Sequence, residues 1–317
     1  MIADLFHGCL DIQTFHDHSI FPARLSPKQT DYLHSISEVF YERALCTSGV
    51  TLEFTTAQPV ISFQCAVCAY SRNHNSIDIW EDGENTEVIS FSIDHAINEV
   101  VYRRRQKGSS TIRIYLPAMA SMRLFKLNLG EAVPVARRRK TLLCLGDSIT
   151  QGIFCQTPSS TYPARLGRTW NLEVINQGIG GFYYDSHFLA PIEADYITVA
   201  YGTNDFTHCG DLKIIRSNAA EFFETLKSLH PSARIAVISP TWRADLIKLS
   251  DQKRFNEICD MILETAGQYH FQTVSGSSLI DHTPDLFTDS YLHPNDAGFE
   301  QYAGRLAGQL GEAWGMG

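Results

Sequence analysis

The sequence predicts an α/β chain in two parts: an all-β sandwich or jelly roll over residues 1–135, then a three-layer α/β/α unit over residues 136–317 with a parallel central sheet. Three observations predict it. Short runs that alternate apolar and polar positions, broken by turn residues, fill the first part. Continuous apolar runs alternating with helical stripes fill the second. The two patterns meet at Val133-Pro134-Val135-Ala136-Arg137-Arg138-Arg139-Lys140, where a proline followed by four basic residues reads as a linker or a domain-bridging segment.

In the first part, Val50–Phe54, Ile61–Ala69 and Ile89–Ile93 alternate as half-buried strands do. Ile77–Trp80 runs into Asp82-Gly83, a hairpin-turn pair. Ile112–Leu116 stops at Pro117, and Leu124–Leu129 stops at Gly130. Many short strands between turn residues imply a sandwich. In the second part, Thr141–Leu145, Leu172–Ile175, Tyr196–Ala200, Arg234–Ile238 and the weaker Phe271–Val274 read as parallel strands. Between and after them, Leu212, Ile215, Ala219, Phe222 and Leu226 recur at helical spacing. So do Phe255, Ile258, Ile262 and Ala266, and Phe299, Tyr302, Ala303, Leu306 and Leu310. Right-handed crossovers give a flavodoxin-like sheet in the order 2-1-3-4-5, and ligands on such sheets bind beyond the carboxyl ends of the strands.

Composition narrows the function. With 44% hydrophobic and 19% charged residues, 317 residues hold enough apolar material for a folded chain. Twenty-six basic against 35 acidic side chains leave a net charge of −9, which argues against non-specific nucleic-acid binding. The same discount applies to Arg103-Arg104-Arg105. No apolar run reaches the ~18 residues of a membrane span. Met1–His7 has neither a basic leader nor a long apolar core, so the expectation is a cytoplasmic chain with free thiols. Cys65 and Cys68, three apart on a strand, point to opposite faces and do not suit a shared zinc. His16-Asp17-His18 has no third ligand and reads as surface; no metal or cofactor is expected.

The strand ends carry the chemistry. Gly146-Asp147-Ser148-Ile149-Thr150-Gln151-Gly152 places a serine at a strand-to-helix turn, as a nucleophile or as an ordinary helix cap. Gly152 is followed by Ile153, so the phosphate-loop ending is missing, as is the Gly-x-Ser-x-Gly elbow. Asn176-Gln177-Gly178-Ile179-Gly180-Gly181 allows close backbone approach to a ligand, or is only a flexible loop. Gly202-Thr203-Asn204-Asp205 offers an amide donor, or is a plain turn. Asp289-Ser290-Tyr291-Leu292-His293-Pro294-Asn295 holds a histidine before the last helix with a carboxylate upstream.

These four blocks, in this order and at these strand ends, resemble the SGNH/GDSL hydrolase family over roughly residues 140–312. The β part resembles, more loosely, the jelly-roll domain preceding that module in two-domain carbohydrate esterases. The resemblance implies Ser148 as nucleophile, His293 as base and then acid, and an oxyanion hole of the Ser148 and Gly181 backbone N–H groups with the Asn204 side chain. Gly181 follows from the family spacing Asn-x-x-x-x-Gly counted from Asn176; Gly178 and Gly180 are the alternatives. The family's supporting aspartate stands three residues before the histidine, where this chain has Ser290. Either Asp289, one step earlier, holds the imidazole, or a main-chain carbonyl does and the site is a dyad; Asp289 is preferred, with Asp281 and Asp285 as outside candidates. Tyr183, Tyr184 and Trp242 are candidates to line the substrate, though each suits core packing equally.

The expected activity is hydrolysis of short acyl esters, acetyl foremost, on a carbohydrate or glycoside. The partner is then a small-molecule or oligosaccharide ester, with neither nucleic acid nor membrane. Rivals are an acyltransferase or thioesterase on the same serine, a carbohydrate-binding protein on a dead esterase scaffold, and a phosphate or nucleotide binder. The complete set of blocks disfavours the dead scaffold, and the missing lysine the phosphate binder.

Overall fold

The computed structural model describes residues 2–73 and 75–316. Two antiparallel sheets form the front half. One runs Phe6–His7, Thr51–Thr56, Ser110–Tyr115, Ser76–Glu81 and Glu84–Ser90, with Val133–Pro134 also paired to Thr51–Thr56. The other runs Asp11–Thr14, Ile20–Ala23, Ala120–Asn128, Val60–Tyr70 and Asn98–Arg103. Leu52, Phe54, Ile79, Ile112 and Ile114 of the first share a core with Phe63, Cys65, Val100, Tyr102 and Leu124 of the second. Alternation along each strand turns these residues inward. Asp82 and Gly83 both take positive φ, at 51° and 89°, and close the hairpin joining Ser76–Glu81 to Glu84–Ser90. Cys65 is buried and Cys68 exposed.

The second half is a five-stranded parallel sheet. Its spatial order is Glu173–Gly178, Thr141–Gly146, Tyr196–Ala200, Arg234–Ile238, Gln272–Val274, which is 2-1-3-4-5 by chain order. The strand Thr141–Gly146 is buried at every position after its first. Helices Leu212–Leu229 and Leu249–Gln268 cover one face, and Tyr162–Trp170 and Asp296–Trp314 the other. Ile215, Ala219, Phe222 and Leu226 are buried as their spacing predicts, whereas Leu212 is only partly so. The second strand runs further than expected, to Gly178, because parallel pairing with Thr141–Gly146 continues to the glycines. Among the described residues no helix is long and apolar enough to cross a membrane.

Sequence periodicity misses two short front helices, Pro27–Ile36 and Glu38–Leu45. The first buries only Gln29 and Leu33 and the second only Ala44, so neither carries a stripe to detect. Local chemistry still starts the first: Ser26 accepts from the Gln29 N–H while Gln29 reaches back to the Ser26 N–H. Both helices pack on the hydrolase core, where Leu33 and Ala44 join Ile179, Phe182 and Phe188.

Three arginines tie the halves together. Arg138 pairs with Glu53 at 2.6 Å and Glu173 at 3.6 Å, and Arg137 meets Glu173 at 3.3 Å. Burial pushes the Glu173 carboxyl up, but hydrogen bonds from His7 and the Gly8 N–H, with the Arg138 charge, outweigh it and hold the group at about 2. Arg24 is fully buried and donates to three carbonyls, of Cys46 at 2.7 Å, Asn176 at 2.7 Å and Arg43 at 2.8 Å. That one guanidinium links a front strand, a front helix and the strand that leads to the glycine loop.

Candidate active site

The first parallel strand ends at Gly146, and Asp147 caps the short helix Ser148–Gln151 by accepting from the Ile149 N–H at 2.9 Å. Asp147, not Ser148, is therefore the cap, which leaves the Ser148 hydroxyl free to face another partner. That partner is His293, whose Nε2 lies 2.9 Å from Ser148 Oγ. The opposite ring nitrogen, Nδ1, lies 2.5 Å from Asp289 Oδ2.

Asp289 is itself anchored. Its Oδ1 accepts from the backbone N–H groups of Tyr291, Leu292 and His293, at 3.2, 2.9 and 3.0 Å. Burial raises its carboxyl, but the His293 hydrogen bond and those N–H groups outweigh it and hold it well below the usual carboxylate range. Ser290 adopts φ 65°, a left-handed turn that absorbs the extra residue between Asp289 and His293. Asp281 and Asp285 lie elsewhere: Asp281 pairs with Arg305 at 2.7 Å, and Asp285 offers its carbonyl to Asn295.

The glycine loop is sorted by its hydrogen bonds. The Gly178 N–H is taken by Asn176 Oδ1 at 2.9 Å and the Gly180 N–H by Gln151 Oε1 at 2.8 Å. The N–H groups of Gly181 and Ser148 meet no acceptor among the described residues. Gly181 takes φ 79°, a conformation that favours glycine. Asn204 Nδ2 donates one hydrogen to Phe182 O at 3.0 Å, which holds the same loop and leaves its second hydrogen available. Preorganised donors of this kind can hold the negative oxygen that forms when a hydroxyl attacks an ester carbonyl.

Two carboxyls at these strand ends are buried, Asp147 before Ser148 and Asp205 after Asn204. Burial, then the nearby Asp205 charge, pushes Asp147 up to about 7; burial likewise pushes Asp205 to about 6, against the Tyr184 N–H that donates to it at 3.2 Å.

The aromatic candidates separate. Tyr183 is half-buried, stacked on Phe182 and edge-on to Phe40 and His208. Tyr184 is not a lining residue: it is 1% exposed and packs among Tyr201, Phe222 and Phe223. Adjacent residues on an extended segment face opposite ways, so only one of the pair reaches the surface. Trp242 stacks on His282 at 5.3 Å and lines a cavity of about 520 Å³ whose walls include neither Ser148 nor His293. Sequence reading missed Gln151, which holds Gly180, and Phe154, whose ring stands edge-on to His293 at 5.2 Å. No spacing rule marks either. Phe154 takes φ 67° and hands its carbonyl to Thr288.

A hydroxyl, imidazole and carboxylate in line beside unpaired N–H donors mark the serine hydrolases as a class. The model of the GDSL-like lipase/acylhydrolase family matches residues 144–301, and the chain belongs to that family through this half. Solved structures extend the likeness to both halves. The salicylyl-acyltransferase SsfX3 from a tetracycline biosynthetic pathway superposes with a TM-score of 0.83 at 19% identity, over 97% of this chain and 94% of that one. A putative GDSL-like lipase from Bacteroides ovatus gives 0.77 at 20%, over 97% and 95%. A family two carbohydrate esterase from Cellvibrio japonicus gives 0.68 at 17%, over 99% and 96%. No curated protein matches the chain in sequence.

Proposed function

We propose that the chain hydrolyses short-chain acyl esters, acetyl foremost, of a carbohydrate or glycoside through an acyl-enzyme on Ser148. The observation that carries this reading is the Ser148–His293–Asp289 alignment, at 2.9 and 2.5 Å. Ser148 Oγ attacks the ester carbonyl carbon as its proton passes to His293 Nε2. The carbonyl oxygen becomes an oxyanion between the Ser148 and Gly181 N–H groups and the free hydrogen of Asn204 Nδ2. Asp289 keeps the proton on Nδ1 and stabilises the imidazolium. The tetrahedral carbon then expels the alkoxide, which takes the proton from Nε2 and leaves as the alcohol. Water, activated by the now neutral His293, attacks the acyl group; the acid departs and Ser148 recovers its proton.

The carbohydrate part of the reading leans on the sandwich-plus-hydrolase architecture, which the family two carbohydrate esterase from Cellvibrio japonicus also has along its length. Transfer of the acyl group to a second alcohol is the other reading, favoured by the higher TM-score of the salicylyl-acyltransferase. The two share every step up to the acyl-enzyme. We place the division between front and hydrolase units near residue 135, and the chain in the cytoplasm. The test is a panel of acetylated sugars and p-nitrophenyl esters of rising chain length, with Ser148→Ala as the blank. Faster release of acetate from sugars than of longer acyl groups supports hydrolysis of acetyl esters. Equal rates across chain lengths refute the acetyl preference, and product carrying the acyl group on an added alcohol favours transfer.

A further inference from the structure

The front half sends two guanidinium groups to the rim of this site. Arg43, on the helix Glu38–Leu45, donates from Nη1 to Gly180 O at 2.5 Å, and the same nitrogen lies 2.8 Å from where a Cβ on Gly181 would stand. Arg72, in the bend after the strand Val60–Tyr70, lies over the Phe154 ring at 5.0 Å from its centroid. That ring is the one set edge-on to His293. One cation therefore flanks the oxyanion glycine and the other stands behind the catalytic histidine.

Both side chains are half-buried, and among the described residues neither forms an ion pair. Their partners are neutral carbonyls: Arg43 donates to Gly180 O, and Arg72 donates from Nη1 to Ser71 O at 2.6 Å. Three other half-buried arginines of the front half, Arg104, Arg113 and Arg123, each meet a carboxylate, of Glu81, Glu53 and Asp17. Burial, and next the positive charge of Arg72, hold Arg43 below the ordinary guanidinium range, so the two cations are near enough to repel. The fold nevertheless holds them there: Arg24 grips the Arg43 carbonyl, and Asn75 donates to the Arg72 carbonyl at 2.8 Å. In a chain of net charge −9, two guanidinium groups beside the glycine loop and the Phe154 ring, neither in an ion pair among the described residues, make a local reversal of sign. Guanidinium forks match carboxylate and phosphate oxygens, and partial dehydration strengthens the match.

We propose that Arg43 and Arg72 form a subsite for an anionic group of the substrate, a carboxylate or phosphate carried beside the scissile ester. The proposal rests on the hydrolase reading and narrows its substrate to negatively charged esters. On a carbohydrate, that means an acylated sugar bearing an acid group. Arg43 also positions the Gly180 carbonyl, so a purely structural arginine there would alter all esters alike, whereas a subsite alters the ratio between charged and neutral ones.

The experiment compares kcat/KM for matched pairs. Para-acetoxybenzoate and para-acetoxyphenyl phosphate carry the anion on the alcohol, against neutral para-acetoxybenzamide. The p-nitrophenyl monoester of succinic acid carries it on the acyl side, against p-nitrophenyl butyrate. We expect an anionic preference of about tenfold in one of the two arms, the scale of a charge-assisted hydrogen bond. The arm tells which side of the ester bears the charge. Rising salt shrinks the preference. Arg72→Gln and Arg43→Gln each reduce the ratio, and Arg72→Lys restores most of it. Inorganic phosphate should inhibit turnover of the neutral amide by wild type more strongly than by Arg72→Gln, which reads the subsite without an anionic substrate. Neutral esters turned over as well as anionic ones in both arms, or a preference that survives both Gln variants, overturns the subsite and leaves the hydrolase reading intact. Failure to cleave any ester overturns the hydrolase reading and the subsite with it.

Discussion

In the hydrolase half, each side chain given a part in the proposed mechanism stands at a strand end or in the loop before the last helix: Ser148 after the first strand, Asn204 after the third, His293 before Asp296–Trp314. In the front half, the side chains that reach the same site come from a short helix and a bend, Arg43 and Arg72, and no motif surrounds them. In the proposed mechanism the hydrolase half supplies the atoms that exchange protons, and in the proposed subsite the front half supplies charge. The difference teaches that a parallel sheet concentrates chemistry where topology dictates, whereas an antiparallel sandwich has no such obligatory place and contributes wherever its loops happen to touch.

Substitutions test that division, beginning with the largest effect. Ser148→Ala should lower kcat by about 10⁶-fold, since nucleophile and base act as a unit; steady-state rates on p-nitrophenyl acetate measure it. Asp289→Asn should cost about 10³–10⁴-fold in kcat by disturbing the His293 tautomer. Near-normal turnover would instead mark a Ser–His dyad. Asn204→Ala should cost about 10²–10³-fold in kcat with little change in folding, and a denaturation curve beside the rates separates the two.

The front half should answer in stability first. Arg24→Ala leaves three carbonyls without their donor, two of them in buried contacts. Urea unfolding should show a loss of about 3 kcal/mol, and if the midpoint does not move, the arginine is not the clamp its geometry describes. The smallest effect is a slope. Asp147 and Asp205 titrate in the fold near about 7 and 6, above the ordinary 3.8. A raised carboxyl contributes stability that is complete below 3.8 and lost as pH climbs through the folded values. Wild-type stability from this pair should therefore fall between 3.8 and about 7, and Asp205→Asn should flatten the fall. An unchanged slope would mean that other groups set it.

How legible each part is follows from its signal. The sheet order is readable because continuous apolar runs mark strands buried on both faces, and Thr141–Gly146 and Tyr196–Ala200 fall where those runs lie. The helices Pro27–Ile36 and Glu38–Leu45 are not readable from periodicity, because they bury three side chains between them. Tyr183 and Tyr184 look alike in the sequence, yet one reaches the surface and the other lies 1% exposed among Phe222 and Phe223. Trp242 looked like a wall of the site because it follows a strand, but its loop turns it onto His282 in the neighbouring cavity.

By itself the sequence determined the order of β and α/β parts and brought forward the serine, histidine and glycine loop as candidates, because these depend on residue type and local spacing. Only the tertiary structure separates Gly178, Gly180 and Gly181, because Asn176 and Gln151 occupy the N–H groups of the first two and leave that of Gly181, the glycine proposed for the oxyanion, without an acceptor among the described residues. The extra residue before His293 was a discrepancy on paper; in space Ser290 takes φ 65° and brings Asp289 within 2.5 Å of the ring. Arg43 and Arg72 stand 29 residues apart in the chain and over a hundred from Gly180 and His293. Nothing local encodes their approach to Gly180 and Phe154, because it depends on how the front half packs against the sheet.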